Sequence, residues 1–200
     1  EEGNKNQEDA LAEILALLET IDRTIKTEYV TFTADAEQTL SYEGSDLQFS
    51  TDGITFNHLP ANTPITFGGT TILYLRGVNN FDGTKGDGIS FTEDIPVACT
   101  GDIRTLIDYA TYKTVDTSNA TFKDLFRGCT ELTSAPALPA TTLADNCYNG
   151  MFAGCTSLNK ITMLATDISA NDCLHFWVEG VAATGTFNKA TSMTSLSTGD

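Results

Sequence analysis

The chain has 200 residues, 27 acidic and 11 basic side chains, a formal charge of −16 and 40% hydrophobic content, enough for ordinary globular cores. A field of that sign repels phosphate backbones and anionic headgroups, which excludes nucleic acid as a partner. No apolar run approaches the ~18 residues of a membrane span, and nothing in the sequence calls for a cofactor.

Residues 1–27 open the chain with a polar, acidic start, followed by Leu11, Ile14, Leu18, Ile21 and Ile25 at spacings of 3, 4, 3 and 4. That periodicity predicts an amphipathic helix from Asn6 to Lys26, with Asn6 as N-cap and Glu8 and Asp9 in the first turn. Two heptads are fewer than a coiled coil needs, and Leu15 and Leu17 widen the apolar face, so docking on the next domain and weak self-association both stay open.

From residue 28 to 98 the period becomes alternating, in the runs YVTFTA, LQFST, ITFNHL, TILYLRG and ISFTEDIPVAC. This predicts a small antiparallel β-sandwich of the immunoglobulin-like kind, with a tight hairpin at Thr51-Asp52-Gly53, where Asp-Gly accepts positive φ. The segment holds 10 acidic and 2 basic residues, the densest negative charge in the chain. Its loop Asn79–Gly88 places Asp82 and Glu93 at positions 1 and 12 of an EF-type spacing. Thr84, Gly86 and Asp87 occupy the positions that should carry two carboxylates and the glycine, so the loop reads as a polar glycine-rich tip.

Residues 99–200 carry an internal repeat. Leu125–Gly150 lies over Met151–Phe176 at an offset of 26, matching Phe126 with Phe152, Gly128 with Gly154, Cys129 with Cys155, Leu132 with Leu158 and Cys147 with Cys173. A degenerate third copy follows at Trp177, and a partial one precedes at ATFKDLF. A period of 26 falls within the range of leucine-rich repeats, whose coils bury their apolar sides against each other.

The words FRGCTEL and FAGCTSL resemble the BspA-like leucine-rich repeats, with their F-x-G-C-T-x-L order. The resemblance covers residues 99–200 and implies a short solenoid in an extracytoplasmic surface protein of gut bacteria, where a β-rich domain often precedes the repeats. It implies a non-catalytic adhesion role, with an extracellular protein or glycan as partner. It also implies a lipoprotein, touching the membrane only through a lipid anchor on a cysteine upstream of Glu1. The fold expected for the whole chain is therefore α+β: helix, sandwich, solenoid.

Side-chain chemistry adds little to that expectation. Cys99, Cys129, Cys147, Cys155 and Cys173 are odd in number and form no C-x-x-C pair, and His58 and His175 are the only histidines, a poor inventory for zinc. Stacked repeat cysteines suit buried packing columns, either as free thiols or as a disulfide within a column. His175 stands two residues from Cys173, as a nucleophile's base could, yet it falls on Asn149 in the repeat and so does not follow the pattern. Trp177 takes a core position of the repeat. No pair among the 27 acids stands out for glycoside chemistry, which leaves a glycan-processing enzyme as the last alternative, behind an assembly component acting through the helix.

Overall fold

The computed structural model describes residues 10–15 and 28–193. Among them lie eleven strands: β1 (Val30–Ala34), β2 (Gln38–Tyr42), β3 (Leu47–Ser50), β4 (Asn57–His58), β5 (Ile65–Phe67), β6 (Leu73–Gly77), β7 (Ile89–Phe91), β8 (Val97–Thr100), β9 (Leu132–Leu138), β10 (Lys160–Met163) and β11 (Thr186–Lys189). They form an eight-stranded sheet in the order β11-β10-β9-β8-β1-β6-β3-β4 and a three-stranded sheet β5-β2-β7.

The protein is thus predominantly β, and the expected α+β fold is corrected. Of the helix expected over residues 6–26, only 10–15 are described; the rest of that expectation lies outside the described residues. Residues 10–15 are helical, but Leu11, Ile14 and Leu15 are more than half exposed, so they contribute no docked element. A separate sandwich and a separate solenoid are not found either, because one sheet runs through both regions. The reason is β8: it pairs antiparallel with β1 along one edge and parallel with β9 along the other, leaving no edge at which the two halves could part.

Alternation along the strands explains which side of the large sheet is buried. Val30, Phe32 and Ala34 of β1, Leu73 and Leu75 of β6, and Val97 and Cys99 of β8 all face inward. The small sheet packs on that inner face: the Phe32 ring lies 6.4 Å from Phe67 of β5 and 5.9 Å from Phe91 of β7. Phe32 also lies 6.3 Å from Phe126 of the repeat region, so one ring joins all three parts of the core.

The 26-residue period has a backbone cause. Positive φ recurs every fourth residue, at Ala120, Asp124 and Gly128, then Asn146, Gly150 and Gly154, then Asp172, Phe176 and Gly180, three sets one period apart. Between these kinks the N–H groups alternate. One reaches back three residues within its own coil, as Leu125 does to Phe122; the next donates to the following coil, as Phe126 does to Met151 and Phe152 to Trp177, at 2.9 and 2.8 Å. Every second donor therefore ties neighbouring coils together, which satisfies a backbone that forms neither helix nor strand there. Gly128 and Gly154 hold φ of 76° and 79°, a region an L side chain enters only with strain. In β9, Pro136 lacks an N–H, and the pairing with β10 slips across it.

Because Phe32 belongs to one continuous core and Trp177 is the lone tryptophan, Phe32→Ala should lower the urea midpoint seen by tryptophan fluorescence as much as that seen by far-ultraviolet circular dichroism. The expected loss is about 3–5 kcal/mol. Midpoints that separate would show two independent units.

Candidate functional site

The repeat residues singled out by sequence are structural. Phe126 and Phe152 stack at 5.5 Å with 13° between their planes, and Trp177 continues the column at 6.4 Å. Leu132 and Leu158 are buried beside them. All five cysteines are free and buried. Their thiols serve as donors to backbone: Cys129 to the carbonyl of Ile89 at 3.0 Å, Cys155 to that of Phe126 at 2.9 Å, and Cys173 to that of Ile168 at 3.4 Å. Burial raises the pKa of Cys173, and it pushes those of Cys147 and Cys155 up to about 12, the reverse of what a nucleophilic thiol requires.

The glycine-rich loop is held by its own side chains. Asp82 accepts from the Thr84 hydroxyl, which lowers its pKa, and its N–H donates to Asp46, whose other oxygen accepts from Tyr42 at 2.8 Å. Among the described residues, no group of three or more His, Cys, Asp or Glu side chains is placed to hold a metal ion.

A concavity of about 410 Å³ lies between the ends of β10 and β11, lined by Ile161, Trp177, Val181, Ala182 and Phe187. Its walls are largely apolar, and the indole N–H of Trp177 has no hydrogen-bond partner.

A more structured surface lies on the outer face of the large sheet, at its other end. Register places His58 beside Gln48, and Gln48 beside Arg76, in a row across β4, β3 and β6. Val30 pairs with Leu75, so the row continues to Tyr29 at the entrance of β1. Arg76 is the centre. Its guanidinium carbon lies 3.8 Å from the centroid of Phe56, 3.9 Å from that of Tyr109 and 6.0 Å from that of Tyr29, and its Nε donates to Gln48 Oε1 at 2.9 Å. Tyr29 in turn packs on Phe56 at 4.8 Å and on Tyr109 at 6.1 Å.

Tyr109 reaches this face because the chain after β8 returns along β6. Its N–H donates to Gly77, and Asp108 bridges to Val78. The approach is so close that a Cβ on Gly77 would sit 1.7 Å from the Leu106 carbonyl oxygen. That return begins at a short 3₁₀ turn, Ile103–Leu106, whose cap Asp102 is buried and ion-paired to Arg104 at 2.8 Å.

Sequence reading did not find this cluster. Tyr29, Phe56, Arg76 and Tyr109 are scattered over 81 positions with no motif linking them. The only available signal was alternation, which marks Arg76 in LYLRG as outward-facing.

Two outcomes follow from this geometry. Gly77→Ala should destabilise the protein by about 1–3 kcal/mol in urea titration, because backbone must give way to the new methyl group. Between about pH 8.5 and pH 12 the unfolded chain loses thiol protons that the folded chain keeps, so stability should fall as pH rises. Below that window the contribution is fully present, and Cys147→Ala should flatten the slope measured by denaturation at stepped pH.

Among the described residues, no helix is long and apolar enough to cross a membrane. No family model, curated protein or solved structure matches the chain.

Proposed function

We propose that the chain is a non-catalytic binding module that recognises an extracellular protein or glycan through the outer face around Arg76. The observation that carries this reading is the arrangement of Tyr29, Phe56 and Tyr109 about one guanidinium on a sheet face. Aromatic rings with a few oriented polar groups are the usual makings of a recognition surface. The buried, proton-retaining thiols favour binding over nucleophilic chemistry. An extracytoplasmic, cell-surface location belongs to the same proposal and rests on the likeness of FRGCTEL and FAGCTSL to BspA-like proteins.

A second reading, self-association, draws on Leu11, Ile14 and Leu15, which are 59%, 55% and 54% exposed. Light scattering across a concentration series separates the two, since a rising mass would favour assembly.

Screening the purified chain against arrays of glycans and extracellular matrix proteins tests the main reading. Binding should occur, and Tyr109→Ala should weaken it by about ten-fold or more, as loss of an aromatic anchor does. Binding that Tyr109→Ala leaves untouched would move the site elsewhere, with the concavity beside Trp177 next in line.

A further inference from the structure

Resting on that reading, we infer that the ligand is a carboxylate-bearing glycan, with a uronic acid carboxylate seated on the free edge of Arg76. The starting point is a contrast among arginines. Of the three within the described residues, Arg104 is paired with Asp102 at 2.8 Å and Arg127 with Asp124 at 2.9 Å. Arg76 has no carboxylate within 4.0 Å among the described residues, although the chain carries 27 acids.

A guanidinium has five N–H donors in a rigid planar fork. In Arg76 the Nε–H is taken by Gln48, and among the described residues none of the other four meets a protein acceptor. The rings of Phe56 and Tyr109 lie against the guanidinium, so what remains is its Nη edge, aimed by the Gln48 bond and by the stacking. Such an edge matches the two oxygens of a carboxylate as a pair of parallel hydrogen bonds. Partial burial by the rings strengthens that contact and shields it from salt more than an exposed lysine would be.

The surroundings favour a sugar over a simple anion or a peptide terminus. The row His58, Gln48, Arg76, Tyr29 crosses four strands, about 14 Å at the usual strand spacing, which is an extended footprint. Along it Gln48 and then His58 stand on one side of Arg76 and Tyr29 on the other, with the rings of Phe56 and Tyr109 over the guanidinium. That mixture of planar polar groups and aromatic faces suits a polyhydroxylated ring with one acidic substituent. The acidity of the chain as a whole adds selectivity: a net charge of −16 discourages polyanions generally, so an anionic group is welcome only where the local fork receives it.

The decisive experiment is calorimetric titration of the whole chain with a xylo-oligosaccharide bearing a single glucuronic acid, with the same oligomer after carboxyl reduction, and with a peptide bearing a free C-terminal carboxylate. The uronate oligosaccharide should bind, and carboxyl reduction should weaken it about 10- to 100-fold. Arg76→Lys keeps the charge and loses the fork, so it should weaken binding at least ten-fold while thermal unfolding by Trp177 fluorescence confirms that the fold is retained.

Equal binding of the reduced oligomer, or binding of the peptide alone, with either lost in Arg76→Lys, would overturn the uronate assignment and leave the binding-module reading standing. Binding of the uronate oligosaccharide unchanged by Arg76→Lys would overturn the assignment to this face. Failure of all three probes, together with a blank array screen, would overturn both.

Discussion

Strand β8 is the constraint on which the architecture depends. Four residues, Val97–Thr100, accept antiparallel pairing from β1 and parallel pairing from β9, so a sheet that begins with antiparallel strands continues as a stack of parallel ones. The change of direction is secured by side chains as well as backbone. The Ser134 hydroxyl accepts from the Cys99 N–H at 3.1 Å and donates to its carbonyl at 2.9 Å, and Thr133 donates to the Val97 carbonyl at 2.9 Å where the register slips. Phe32 then locks the same junction from within, touching the small sheet on one side and the first repeat ring on the other.

From this junction the chain supplies the far face of the sheet. Immediately after β8, Asp102 turns the backbone with its Arg104 pair, the segment runs back along β6, and Gly77 leaves room for it. Tyr109 arrives over Arg76 as a result. The strand that merges the two regions thus also delivers the last wall of the aromatic cluster, and the buried Asp102 carboxylate at the start of that return is partnered by Arg104. A lone cation held among neutral rings is a specific feature in a chain with an excess of 16 negative charges.

The coils obey a different economy. Their alternating donors and recurrent positive φ make each coil dependent on its neighbour, and the buried aromatic and thiol columns fill the space between. Those thiols are inert because they are buried, and their regular spacing reflects packing.

Sequence alone determined the runs that became β1, β3, β6, β7 and β8, though not β2 or β5, together with the 26-residue offset and the pairing of Phe126 with Phe152 and Cys129 with Cys155 as equivalent positions. Those are local or periodic features, written in alternation and spacing that neighbours in the chain impose on one another. It misjudged the fold class because the two edges of β8 are not distinguishable in the letters VACT; whether a strand ends one sheet or joins two depends on partners 63 and 35 residues or more away. The same holds for the candidate site. Tyr29, Phe56, Arg76 and Tyr109 come together only when four strands and a returning loop are in register, and long-range register is decided by which apolar faces meet in the core, a property of the assembled tertiary structure.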